Sequence, residues 1–204
     1  RRVRDSAPGP DGIPYAAWRH CGASAIEMLF GLSNWLASGL PGKPDFNDNK
    51  PVFIPKTMKV GVDAGAPRRF DHLRMLGLKN SDNKLVGAAF ARSVSRAIPR
   101  SAAPAQRGFV SGRQRLLNAV EIDTHARLVS FNPSFDKHPV LIANDFSSAF
   151  LSLSQDWTLL SLRTSMFPLA FQSPVQANFV CASYVALRRG EFTPICPILM
   201  GVIQ

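Results

Sequence analysis

The chain has 204 residues, 46% hydrophobic and 19% charged, a composition that suits one or two globular domains and excludes a disordered chain. Its charge is lopsided: residues 1–115 carry 19 Lys/Arg against 8 Asp/Glu, and residues 116–204 carry 5 against 6. So basic a half favours a polyanionic partner, although net charge governs association and not fold. Cys21, Cys181 and Cys196 stand far apart without ligand spacing, which argues against a zinc site or a disulfide framework and for a reducing, intracellular setting, cytoplasmic or nuclear. Residues 164–187 are uncharged, but Pro168, Gln172, Pro174, Gln176 and Asn178 make them too polar for a membrane span. With no initiator Met, no signal peptide and an apolar phrase broken off at Gln204, both ends read as cut.

The prolines and glycines of Ala7-Pro8-Gly9-Pro10-Asp11-Gly12-Ile13-Pro14 forbid helix and predict tight turns. From about Tyr15 to Ser38, Ala25, Leu29, Leu32 and Leu36 recur at helical spacing, with Gly39 and Pro41 as a stop. Pro51-Val52-Phe53-Ile54-Pro55 predicts a short edge strand, and a second short strand falls around Leu73 to Leu78. Val86, Phe90, Val94 and Ala97 predict a helix ending before Pro99, and Leu116, Val120 and Leu128 predict another. The continuous apolar run Pro139-Val140-Leu141-Ile142-Ala143 predicts a buried central strand that delivers Asn144 and Asp145 at its end. Ser147 or Ser148 is expected to cap the next helix, which carries Phe150, Leu153, Trp157 and Leu160. A last helix is expected from about Pro174 to Leu187, closed by Arg188-Arg189-Gly190.

A carboxylate directly after a buried strand is held by rigid backbone at a sheet end, where ligands gather, so Asp145 is the candidate catalytic residue. Taken alone, it suits a helix cap better. The phrases around it sharpen the choice. Residues 7–14, Val52-Phe53-Ile54-Pro55-Lys56, Arg107-Gly108-Phe109-Val110-Ser111-Gly112-Arg113, Asp145-Phe146-Ser147-Ser148-Ala149-Phe150 and Gly201-Val202-Ile203-Gln204 together resemble, in order and spacing, the reverse transcriptase domain of non-LTR (LINE-type) retrotransposons.

The resemblance implies an α+β fold: the fingers and first part of the palm of a right-hand polymerase, helices on a small mixed or antiparallel sheet, truncated before the second catalytic hairpin. On that reading residues 1–204 are one partial domain, about 1–135 basic fingers and about 136–204 partial palm. The implied activity of the intact protein is RNA-directed DNA synthesis with an RNA template, a DNA primer and deoxynucleoside triphosphates, and the fragment alone is expected to be inactive. Asp145 and the backbone carbonyl of Phe146 would ligate Mg²⁺. Such chemistry uses two ions, one to activate the primer hydroxyl and one to stabilise departing pyrophosphate, and a lone carboxylate cannot hold both.

Phe150 matches the position that excludes a ribose 2′-hydroxyl; a plain core aromatic would show the same helical spacing. Lys56 and Arg74, the latter ten residues before Lys84, match cations assigned to template backbone or triphosphate, and Gln204 matches the opening of the next nucleotide-seating motif. Gln106, Arg107, Gly108, Phe109, Gly112 and Arg113 match the loop laid along the template, where the bare-residue alternative is a helix-entry turn. Met75, Ser148 and Leu151 depart from the family's usual Pro, Lys, and Asp or Pro. A nucleic-acid-binding remnant that has lost its chemistry is the competing reading.

Overall fold

The computed structural model describes residues 7–56, 69–131, 140–145 and 152–201. Among them are seven α-helices and a four-stranded mixed sheet, an α+β arrangement. The chain divides into two compact units, residues 1–87 with 148–204, and residues 88–147.

In the first unit, the apolar period of residues 25–36 produces α2 (Gly22–Ala37), which turns Ala25, Leu29, Leu32 and Leu36 inward and buries Ala25 and Leu36. It packs on α7 (Leu169–Ala177), which in turn meets α6 (Gln155–Thr164). The single helix expected from Tyr15 is two: α1 (Tyr15–His20) stops at Cys21, and Gly22 takes a positive φ of 53°. Its left-handed backbone, easy for glycine, re-aims the chain between them.

β1 (Asp48–Pro55) pairs antiparallel with β2 (Leu73–Lys79) along its whole length, from Asn49↔Lys79 to Pro55↔Leu73. Its parallel pairing with β3 (Ser183–Arg188) covers only Asp48 and Asn49. β1 is therefore interior in the order β2-β1-β3-β4 at Asp48 and Asn49, whereas residues 51–55, paired with β2 alone among the described residues, form the edge segment expected from their prolines. The prolines are tolerated because the second ladder ends before Pro51, so no partner on that side asks for their missing N–H groups.

Residues 183–188 are strand and not helix, correcting the expectation of a helix from Pro174 to Leu187. α7 begins earlier, at Leu169, and ends at Ala177. β3 and β4 (Glu191–Pro197) form a hairpin whose two turn residues, Arg189 and Gly190, have φ of 52° and 89°. A two-residue turn with both φ positive matches the twist of a hairpin, and Tyr184 and Val185 supply β-prone side chains. The expected helix terminus was this turn.

A second correction concerns residues 140–145. They form no strand, and Val140, Leu141 and Ile142 are 79%, 72% and 74% exposed. An apolar run becomes a buried strand only where neighbouring strands accept its ladder, and the sheet is assembled from other segments. The helix beyond is capped by Ser154, whose Oγ accepts from the Trp157 N–H at 3.2 Å. Ser147 and Ser148 lie outside the described residues.

An amide-rich cluster ties the first unit together. Asn47 Nδ2 donates to the carbonyls of Ala177 and Val180 at 2.6 and 2.7 Å. Asn83 Nδ2 donates to Phe46 O and Asn47 Oδ1, and Asn80 Nδ2 donates to Asp45 O. Asn47, Asn80 and Asn83 are buried, so these bonds replace water for loop carbonyls that no strand or helix would satisfy. They also tie Asn80, at the end of β2, and Asn83, on α3 (Ser81–Val94), to residues 45–47.

Candidate functional site

The turn phrase at residues 9–14 is structural. Gly12 N–H donates to Gly9 O at 3.1 Å, Asp11 N–H donates to Asn80 Oδ1 at 3.0 Å, and Asp11 Oδ1 accepts from Ile13 N–H at 3.1 Å. Burial pushes the Asp11 carboxyl above its ordinary value, and the nearby Asp82 carboxylate pushes the same way.

Lys56 and Arg74 come together. Lys56 N–H donates to His72 O at 3.0 Å and so extends the β1–β2 ladder by one step. Because side chains alternate along a strand, Lys56 falls on the face of Ile54, whose cross-strand partner is Arg74. Lys50, two alternations earlier, shares that face, and all three cations are exposed. Lys50 escaped the motif reading; its even spacing from Ile54 and Lys56 was the available signal.

In the second unit, Arg107 and Arg113 are bound within the loop that carries them. The Arg113 guanidinium donates to four carbonyls: Ala103 at 2.5 Å and Gln106 at 2.8 Å through Nη1, Pro99 at 2.7 Å and Ala102 at 3.1 Å through Nη2. Arg107 donates to Asn118 Oδ1 at 2.9 Å and forms an ion pair with Glu121, both on α5 (Leu116–Ser130). That pairing holds the Glu121 carboxyl below its ordinary range. Gln106 Nε2 donates to Gly108 O at 2.9 Å, and Gly112 takes a φ of 78°.

Phe109 stands apart from this bonding. It is 92% exposed, with a positive φ of 59°, and the Arg115 guanidinium lies 5.8 Å from its ring centroid. A left-handed aromatic residue costs about 1 kcal/mol, so the loop spends free energy to present this ring to water.

Asp145 is exposed and belongs to the second unit, whereas Lys56 and Arg74 belong to the first. Phe146, Phe150 and Gln204 lie outside the described residues. Among the described residues there is no cluster of three or more His, Cys, Asp or Glu side chains that would hold a metal. A Mg²⁺ pair needs several oxygen ligands at octahedral geometry, and the single Asp145 carboxylate does not supply them. No helix among the described residues is long and apolar enough to cross a membrane.

The first unit also contains a cavity of about 430 Å³ walled by β2, α3, α6 and α7. Lys79 and Lys84 line it with Asn83, Asn178, Gln155 and Thr158. No motif pointed to it, because its residues come from four elements spread over more than a hundred positions. No protein-family model matches the chain, and no curated protein matches it.

Proposed function

We propose that this chain is the template-gripping part of an RNA-directed DNA polymerase of the reverse transcriptase type, fingers with the start of a palm, in which Asp145 serves as one carboxylate of the catalytic centre. The observation that carries the reading is the shared exposed face of Lys56 and Arg74, two cations drawn from separate phrases of the sequence. Lys50 extends the row: it lies four residues from Ile54 and six from Lys56, so at about 3.3 Å per residue the three cations span about 20 Å, the reach of several phosphates of one nucleic-acid strand. The displayed Phe109 ring beside Arg115 adds a surface on which a base can stack, with a cation at hand. The basic balance of residues 1–115 supports the same partner.

A second reading, a nucleic-acid-binding unit without chemistry, is favoured by one observation: the run before Asp145 is exposed and unpaired, so no sheet holds the carboxylate in place. Both readings require RNA binding that weakens steeply with salt; absence of binding to a single-stranded RNA oligonucleotide at low salt defeats both. Primer extension on an RNA template separates them. Activity abolished by Asp145→Ala supports the polymerase, equal activity in both forms removes Asp145 from the centre, and binding without extension supports the second reading.

A further inference from the structure

The cavity of the first unit has an unusual division of hydrogen-bonding capacity. Its neutral polar side chains have donors committed within the protein. Asn83 Nδ2 is held by Phe46 O and Asn47 Oδ1, and Asn178 Nδ2 by Pro174 O at 2.8 Å. Gln155 Nε2 is held by Ile198 O at 3.2 Å, and the Thr158 hydroxyl by Ser154 O at 2.9 Å. Asn178 Nδ2 and Gln155 Nε2 each keep a second N–H, and the charged donors of the wall are those of two lysines. Lys79 makes one long bond, 3.3 Å, to Asn178 Oδ1, and Lys84 lines the same wall. Among the described residues no acidic side chain lines the cavity, whose wall otherwise includes Val175, Phe179 and Ala182; the Asp11 carboxylate, outside the wall, lies near enough to Lys84 to favour its charged form.

We propose that this cavity binds a small organic phosphate, a monoester whose dianionic head takes the Lys79 and Lys84 ammonium groups as counter-ions and whose apolar body lies against Val175 and Phe179. The volume is within the range of small-molecule sites, about 300–1,000 Å³. Two unit positive charges with unspent donors, in a wall without carboxylates, match a dianion better than a monoanionic carboxylate or a neutral ligand. Burial pushes the Lys79 ammonium down to about 8, so without a partner anion it holds its proton weakly, and an entering anion supplies the counter-charge. The inference is independent of the nucleic-acid reading, since Lys56 and Arg74 are not among the lining residues.

The test uses the full chain and phenyl phosphate as probe. Calorimetry should show binding at pH 7, and phenyl phosphate should protect Lys79 from acylation by acetic anhydride, read by peptide mass spectrometry. At pH 8 binding should take up protons, seen as a heat that varies with the buffer's ionisation enthalpy. Lys79→Met and Lys84→Met should each weaken binding by at least about tenfold, the usual loss for a charge-assisted hydrogen bond. Inorganic phosphate, which lacks the apolar body, and benzoate, which carries one charge, should both bind more weakly. Failure of millimolar phenyl phosphate to protect Lys79 overturns the proposal. So does benzoate binding as tightly, or undiminished binding by a folded Lys79→Met protein. If that variant does not fold, protection of Lys79 in the unmodified chain decides the matter alone.

Discussion

Gly9 lies directly against the peptide that joins Lys79 to Asn80: a Cβ built on Gly9 would stand 2.4 Å from Asn80 N and 2.5 Å from the Lys79 carbonyl carbon and oxygen. Those atoms are backbone at the junction of β2 and α3, and they cannot swing aside as a side-chain tip would. Gly9→Ala should therefore cost about 2 kcal/mol or more, read from the urea midpoint. Gly87 is the contrast. It sits inside α3, and a Cβ added there would meet nothing within 4 Å, so Gly87→Ala should raise stability by about 0.5–1 kcal/mol. Equal effects of the two changes would show that the close approach at Gly9 does not constrain the fold.

Arg113 makes its contribution through geometry more than charge. Four carbonyls of residues 99–106 converge on one planar guanidinium, a pattern that a lysine ammonium with three donors cannot reproduce. Arg113→Lys should keep the net charge yet speed amide hydrogen exchange and proteolysis in residues 99–113. Because its donors are occupied, it should leave the salt dependence of RNA binding unchanged. Normal protection in the lysine variant would show that charge alone suffices.

On α2 and α3 the side-chain period read from sequence is set by burial on one face: Ala25, Leu29, Leu32 and Leu36 on α2 and Val86 on α3 announce themselves that way. β1 is legible from its β-prone residues alone, since the adjacent Phe53 and Ile54 are both exposed, and the apolar period of α5 marks a helix whose Leu116, Val120 and Leu128 stay exposed. The misread segments lack such a period. Residues 140–143 are apolar without alternation, so nothing in the run says whether a neighbouring strand exists to bury it. Arg188-Arg189-Gly190 resembles a helix terminus because glycine serves left-handed backbone in both settings, and only the β-prone Tyr184 and Val185 before it favour a hairpin. The nearness of Lys56 and Arg74 depended on register, which no local pattern encodes across the intervening loop. The cavity at Lys79 depended on four elements converging. Local motifs named single cations; only the assembled chain shows which of them share a surface.

Single-stranded RNA affinity should fall with salt in proportion to the phosphates contacted, each worth about 0.7 in the slope of log K against log salt. Lys50→Ala, Lys56→Ala and Arg74→Ala should each lower that slope by about this amount, and a pair of them by about twice as much. Arg107→Ala should change it less, because Glu121 already neutralises that guanidinium. Fluorescence anisotropy over a salt series measures the slopes. Unaltered slopes in all three β1–β2 variants would take the nucleic acid off this face.

Phe109 should contribute through stacking and not through charge. Phe109→Ala should weaken RNA binding by about 1–3 kcal/mol while leaving the salt slope intact, and Phe109→Trp should retain affinity. The same substitution relieves no buried contact, since the ring is 92% exposed, so the thermal midpoint should not fall. A loss of affinity accompanied by a lower midpoint would instead assign the ring to holding the loop.

Lys79 makes stability depend on alkaline pH in a definite sense. Its folded value of about 8 lies below the ordinary 10.5, so between those limits the unfolded chain binds more proton than the folded one. Stability should therefore climb as pH rises from about 8 to about 10.5. Below pH 8 the full cost of burying the charge is present, up to about 3 kcal/mol from a shift of this size. Lys79→Met removes the charge and forfeits only the long bond to Asn178. In phosphate-free buffer the methionine variant should be the more stable protein at pH 7, and its advantage should shrink to nothing by pH 10.5. Urea titrations of both proteins across that range measure the gap. A gap that stays constant with pH would mean the ammonium is hydrated in the folded chain, and that the cavity wall does not withhold it from water.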